Sequence, residues 1–343
     1  MTSMQRPIDI AIVGCGAITE MGHAPGAMLS PRVRLKTLVD IDIAQARKVA
    51  QAHGITDVRT STDKLEDSVE GVILALPHHL HKPICIEMLG KGLHVLIEKP
   101  LGCSVAECEA MTDAAKKAER VLATAMVRRF VSANVMAKQM IEDGTLGKVK
   151  SFQIVDADLF SWPIRTPFLV ENYPGRGVLI GNGSHIFDLV LWWFGDVETV
   201  HCEWDSNLGC ETDASIDLTM KSGVTGHIDL SRIRRLDSLI VINFEHGSLR
   251  LPRFGSGVEM LSPSGELLST LEPHSNRLYA SNSIYLADLM AAQINDFADA
   301  VQGQQQPEVD GIVATDVIRV VEKCVASAQL RPLPWQRPVV MPG

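Results

Sequence analysis

The stretch from residue 72 to residue 102, VILALPHHLHKPICIEMLGKGLHVLIEKPLG, constrains the fold of this chain more than any other part. Residues 72–76 are a short apolar run rich in β-branched side chains. A turn with three histidines follows, then a helical segment, then a second run at residues 94–97 that stops at Glu98-Lys99-Pro100. Apolar runs of this length, ended by proline or charge, read as strands of a parallel sheet buried on both faces. Glu98 and Lys99 then stand at the carboxyl end of a strand, where open α/β sheets place their ligands. A charged pair followed by a φ-locking proline is costly there for packing alone, which makes both residues candidates for a site.

The chain before this stretch repeats the same alternation. Residues 8–13 (IDIAIV) form a β-branched run that ends in Gly14-Cys15-Gly16-Ala17-Ile18-Thr19, followed by a helical segment to residue 30. The first glycine permits a tight strand-to-helix turn. The second lets a pyrophosphate approach the backbone over the positive end of a helix. The third motif position is Thr19 rather than glycine, and taken alone the motif is equally compatible with an ordinary turn. A second strand, residues 33–39, ends at Asp40, 24 residues beyond Gly16 and near the spacing of a ribose-binding acid. An aspartate there accepts from both ribose hydroxyls and repels a 2′-phosphate, and the adjoining Ile41-Asp42 brings no arginine. NAD is therefore favoured over NADP. Capping the helix at residues 44–53 is the competing role for Asp40. A strand at 58–60, a helix capped by Ser61 or Thr62, an amphipathic helix at 104–120 and a strand at 121–126 complete six strands, a Rossmann count.

From residue 149 the pattern changes to consecutive strands (SFQIVDADLF, VETVHCEW, ASIDLTM, VTGHIDL, SLIVINFE, GSLRLP), which implies a large open, mostly antiparallel sheet. Two helices are expected over 284–302 and 309–329. The fold class is α/β: a Rossmann domain over 1–126 and an α+β domain for substrate and oligomerisation over 127–343. The sheet's open face needs covering, so a homodimer or homotetramer through it is expected. Between the first two of these strands lies a long excursion containing Trp162, Arg165, Tyr173 and Arg176. Its length points to function, aromatic faces and arginines suit sugar surfaces and hydroxyls, and a covering loop is the plain alternative.

Composition excludes several classes. Of 343 residues, 32 are Lys or Arg and 41 Asp or Glu, for a formal charge of −9, which argues against a nucleic-acid surface. The basic cluster Arg232, Arg234 and Arg235 reads as a solvated strand face. Seven cysteines without a CxxC pair propose neither a disulfide framework nor a zinc site. His78, His79 and His81 do not share a helix face and have no nearby acidic or Cys partner, so no metal is expected. With no apolar leader and no 18-residue apolar run, no membrane partner is expected and the cytoplasm is the expected location.

LPHHLH followed by HVLIEKPLG resembles the TPxHxH…HVxxEKP signature of the Gfo/Idh/MocA family of nicotinamide-dependent oxidoreductases. Residues 128–147 and the closing helices are similar to the family as well. The resemblance implies that Leu76, Pro77, His78 and His81 face the cofactor with Gly14, Cys15, Gly16, Ala17, Ile18, Asp40, Ile41 and Glu98. It also implies that Lys99 touches both cofactor and substrate. Residues 177–188 resemble the family pattern GGxxxDxGxHxxD, in which the first Asp and the His flank the substrate hydroxyl. This chain keeps His185 and Asp188 but has Gly181 at the first Asp, where Asn182 could supply a hydrogen bond without charge. Substrate contacts are expected from Lys99, Trp162, Arg165, Asn182 and His185, with Lys99 and His185 catalytic: an imidazole takes a hydroxyl proton near neutrality, and an ammonium steadies the alkoxide. Asp188 is expected to orient His185 or to cap structure. The expected reaction is hydride transfer between NAD(H) and a secondary alcohol or ketone of a sugar, sugar acid or cyclitol. A non-catalytic NAD-binding regulator and an NAD-assisted glycosidase of the same fold are the alternatives.

Overall fold

The computed structural model describes residues 6–163, 177–205, 210–252, 257–272 and 286–331. The first unit is a six-stranded parallel sheet of β1 (Ile8–Val13), β2 (Val33–Val39), β3 (Asp57–Arg59), β4 (Gly71–Leu74), β5 (His94–Glu98) and β6 (Leu122–Ala125). The spatial order is β3-β2-β1-β4-β5-β6, the doubly wound Rossmann order with its switch point between β1 and β4. Ile10, Ile12, Val72, Ile73, Val95 and Leu96 have almost no solvent exposure, as strands covered by helices on both faces require. After β1 the chain winds through a wide π-type turn (Thr19–His23) into α1 (Ala24–Leu29). α2 (Ile43–His53), α3 (His81–Gly90) and α4 (Val105–Ala118) follow.

Two local expectations are corrected. The helix expected after β3 is only a 3-10 turn at Leu65–Asp67, because Leu65 alone in that charged turn has a core to enter. The cap of α2 is Asp42, whose side chain accepts from the amides of Ala44 and Gln45, and not Asp40.

The second unit begins with α5 (Ser132–Asp143) and β7 (Val149–Ala157). After the excursion come α6 (Val178–Gly181), α7 (Gly183–Phe194), β8 (Val197–Trp204), β9 (Asp213–Met220), β10 (Thr225–Ser231), β11 (Leu239–Phe244), β12 (Ser248–Pro252), β13 (Val258–Leu261), β14 (Leu267–Leu271), α8 (Leu286–Val301), α9 (Gly311–Ser327) and β15 (Ala328–Leu330). The strands form one nine-stranded sheet ordered β14-β13-β12-β11-β7-β10-β9-β8-β15. It is antiparallel except where β10 meets β7 and β15 meets β8. Phe152, Ile154, Ile216, Ile228, Ile240 and Ile242 alternate onto the face that α7 and α9 cover. β13 and β14 were not foreseen. The last expected helix stops at Ser327, and the next three residues pair with β8.

The C-terminal helices tie the units together. α8 packs on α1 so closely that a Cβ on Gly26 would stand 2.7 Å from Met290 Cβ. The strand-like bridge of Asp310 to Ala123, with the Thr124 amide donating to the Val309 carbonyl at 2.8 Å, attaches the start of α9 to β6. The carboxyl end of β5 is linked to α6 through Lys99, whose side chain reaches the Gly181 carbonyl.

Candidate active site

At the first strand end, Gly14 adopts φ +96°, and a Cβ there would collide with the Ala75 carbonyl oxygen, so only glycine fits. Thr19 donates its hydroxyl to the Gly14 carbonyl at 2.6 Å. A threonine at the third motif position thus closes the turn by a side-chain bond instead of by a third glycine. Nothing lies within 4 Å of a Cβ built on Gly16, so the turn is open where a ligand would approach. Asp40 accepts from the Cys15 amide at 2.7 Å and from the Asp42 amide at 2.8 Å, which fixes its carboxylate at the end of β2 beside that turn. Cys15 is fully buried, and burial pushes its thiol up to about 12. Ala17 is buried, Ile18 half-buried and Ile41 almost wholly exposed.

At the end of β4, Leu76, Pro77 and His78 are half-buried and His79 is exposed. His81 is fully buried. Its two ring nitrogens face the Pro100 carbonyl at 2.8 Å and the Leu76 carbonyl at 2.9 Å. This side chain therefore braces the β4 turn against the end of β5, a role that its sequence context did not disclose. His78 meets the His81 ring edge-on.

At the end of β5, Glu98 is buried and its Oε1 lies 2.7 Å from His23 Nε2, while Oε2 accepts from the Lys99 amide at 3.1 Å. Burial alone would push the Glu98 carboxyl up. The His23 hydrogen bond and the nearby Lys99 charge outweigh it and hold the carboxyl below its usual range. Lys99 crosses to the second unit: its Nζ donates to the Gly181 carbonyl at 2.8 Å. Burial, reinforced by Arg232 and Arg128 against the pull of Glu98 and Asp156, draws its ammonium down to about 8.

The Lys99 ammonium therefore reaches the junction of α6 and α7. The His185 amide donates to Asn182 O at 3.2 Å, and the His185 ring is half-buried on the first turn of α7. Around this junction runs a polar network that sequence reasoning missed. Arg128 Nη2 lies 2.6 Å from Asp156 Oδ2, both side chains being buried. Asn182 Nδ2 lies 3.5 Å from Asp156 Oδ1, and Asn182 Oδ1 accepts from Arg232 Nε at 3.1 Å. Arg232 is not on a solvated strand face: it leaves the end of β10 and turns inward, with Phe160 5.5 Å from its guanidinium carbon. Its neighbours in sequence behave differently, Arg234 pairing with Asp213 and Arg235 with Asp158. Asp188 does not orient His185. It accepts three hydrogen bonds from Arg129, a fully buried pair beside α9. Trp162 is partly exposed, and Arg165 lies outside the described residues. The one signal in the sequence for this network is Arg128-Arg129, two cations directly after a buried strand.

The glycine turn open at Gly16, the acid fixed beside it at Asp40 and the cation at the end of β5, across β4, form a donor and acceptor set that fits a dinucleotide. Sequence comparison defines the class. Residues 8–126 match the family model described as the oxidoreductase family with NAD-binding Rossmann fold, and residues 135–250 match that of the GFO/IDH/MocA C-terminal domain. The chain belongs to the Gfo/Idh/MocA oxidoreductase family. Among curated relatives, it is 29% identical over 191 residues to the rhizopine catabolism protein MocA of Rhizobium meliloti, covering 55% of this chain and 58% of that one. It is 27% identical over 233 residues to myo-inositol 2-dehydrogenase of Thermotoga maritima, 65% of this chain and 68% of that one. The chain thus spans little more than half the length of the first. The solved structure of aldose-aldose oxidoreductase from Caulobacter crescentus, crystallised with glycerol, shares the fold at a TM-score of 0.83 and 22% identity, over 94% of this chain and 97% of that one.

Proposed function

We propose that this chain is an NAD-dependent dehydrogenase or reductase acting on a secondary hydroxyl or ketone of a sugar, sugar acid or cyclitol. The observation that carries this is the reach of Lys99 from the end of β5 to the Gly181 carbonyl, one helical turn before His185. Gly14 to Ile18 hold the pyrophosphate, Asp40 and Ile41 the adenosine ribose, and Leu76 to His78 with Glu98 and Lys99 the nicotinamide half. His81 serves that half by fixing the Leu76 and Pro100 carbonyls. NAD bound there supplies the hydride acceptor. His185 takes the hydroxyl proton, and the Lys99 ammonium stabilises the developing alkoxide. Asn182, and Trp162 and Arg165 on the excursion, contact the substrate. The relative that oxidises myo-inositol supports a cyclitol or sugar as substrate.

The outer face of the nine-stranded sheet carries half-buried Val155, Leu239 and Val241 beside His227, which is held between Asp217 and Asp229. We assign this face to a second copy of the chain, in a homodimer or homotetramer. No helix among the described residues is long and apolar enough to cross a membrane. The seven cysteines, none of them joined in a disulfide among the described residues, support a reducing compartment such as the cytoplasm. Screening reduction of NAD over sugars, inositols and sugar acids tests the activity. Turnover of at least one, with NAD preferred to NADP, is expected; tight NADH binding with no turnover would point to a regulator instead.

A further inference from the structure

His23 is fully buried, and no step of the proposed reaction uses it. It ends the π-type turn Thr19–His23, which continues the glycine turn after β1. α8 pins this turn: a Cβ on Gly22 would stand 3.2 Å from Leu286 Cδ2 and from Met290 Cγ. From there the His23 ring reaches past β4 to the end of β5, where Nε2 lies 2.7 Å from Glu98 Oε1. Its other nitrogen, Nδ1, has no hydrogen-bond partner among the described residues. The ring's one directed contact among those residues is therefore the Glu98 carboxylate. His81, on the turn between, differs: both of its ring nitrogens face backbone carbonyls.

Glu98 passes this contact on. Its Oε2 accepts from the Lys99 amide at 3.1 Å, and the Lys99 side chain runs to the Gly181 carbonyl. Burial is the largest influence on the Glu98 carboxyl and pushes it up. The His23 hydrogen bond is the largest that draws it down, and the carboxyl ends below its usual range. An ionised carboxylate only accepts, so His23 Nε2 carries the proton between them. Lys99 obeys the same balance with the sign reversed. Burial lowers its ammonium to about 8, Glu98 is the strongest influence raising it, Asp156 adds to Glu98, and Arg232 and Arg128 oppose both. His81 also feels the Glu98 charge. Of the acids on the turn and on α8, Glu20 pairs with Lys48, Asp299 with Arg32, and Asp296 accepts from the Glu308 amide.

We propose that His23 is a positioning residue for Lys99: by donating to Glu98 it keeps that carboxylate ionised, and the carboxylate keeps the Lys99 ammonium charged at the Gly181 carbonyl. Its bearing on turnover rests on the oxidoreductase reading above. Without His23 the buried Glu98 takes up a proton, and Lys99, no longer beside an anion, releases its own at lower pH. The turn that carries the pyrophosphate under that reading is thereby joined to the cation at the reacting hydroxyl.

The test is brief acetylation of the full chain with acetic anhydride over a pH series, quantified at Lys99 by peptide mass spectrometry. Only the neutral amine reacts, so the labelling rate reads Lys99 without any substrate. The unaltered protein is expected to give a midpoint of about 8. His23→Leu should lower it by about one pH unit, the lower end of the effect of a neighbouring charge. His23→Gln, whose amide can donate to the same carboxylate, should return it most of the way. Glu98→Gln should lower the midpoint at least as far as His23→Leu. In each variant the alkaline limb of turnover should move with the midpoint. A midpoint unmoved in His23→Leu, or lowered equally in His23→Gln, would overturn the proposal. Should His23→Leu not fold, an unmoved midpoint in Glu98→Gln, which is nearly identical in shape, overturns it instead. A midpoint that moves as expected in a protein that turns over no sugar, polyol or sugar acid would leave the His23 coupling standing and defeat the oxidoreductase reading.

Discussion

The cofactor side and the substrate side of the site are built by different means. On the cofactor side the geometry comes from backbone and near neighbours: Gly14 at φ +96°, Thr19 bonded five residues back to the Gly14 carbonyl, and Asp42 capping its own helix. The Asp40 bond to the Cys15 amide and the His81 ring between the Leu76 and Pro100 carbonyls join adjacent strand ends. On the substrate side, Lys99, Arg128, Asp156, Asn182 and Arg232 come from β5, the turn after β6, β7, the α6–α7 junction and the end of β10. Their contacts exist only once both sheets are formed. The first side can be encoded in a motif; the second depends on which distant charges the fold brings together.

The largest effect that bears on this contrast is expected on the substrate side. Asp188→Asn leaves the Arg129 guanidinium buried without its counter-charge, which should cost about 3–5 kcal/mol in urea unfolding. A loss below about 1 kcal/mol would show that water reaches the pair and that the network is not a sealed interior. Next is Asp40→Ala, expected to weaken NAD binding by roughly 10- to 100-fold through lost charged hydrogen bonds, with a smaller change for NADP. An equal loss for both cofactors would remove Asp40 from ribose selection.

The pH dependence follows from Lys99. Burial places its pKa at about 8, so the ammonium is present below that value and neutral above it. A cationic role makes alcohol oxidation fall as pH rises through about 8, approaching tenfold per pH unit beyond it. Lys99→Arg, charged throughout, should flatten this limb. A rate that climbs through pH 8 instead would make the neutral amine the working form. The smallest effect is expected from Asp42→Ala, about 1 kcal/mol in urea unfolding from the lost cap of α2, with NAD affinity unchanged.

The same contrast explains what could be read from the chain. The parallel strands were legible where burial on both faces leaves short apolar runs, as in Gly71–Leu74 and His94–Glu98. The antiparallel strands Leu239–Phe244 and Asp213–Met220 were legible from alternation. Leu267–Leu271 was not, since an edge strand with mostly exposed side chains carries no such pattern. Lys99 and His185 stood out because they lie within local motifs. Arg232 read as a surface cation because nothing adjacent in sequence marks it; its inward position is beside Gly181 of α6, a helix that packs on β9 and β10. His81 shows the reverse: a histidine in a motif, whose ring is bonded to backbone rather than turned to a ligand.

The central claim is that Lys99 joins the two sides at the reacting hydroxyl. It is tested most directly by measuring NADH affinity and turnover on one preparation of Lys99→Ala, with the best substrate from the screen. The account predicts NADH affinity within about threefold of the unaltered protein and turnover lower by roughly a thousandfold. Turnover retained within about tenfold would contradict it.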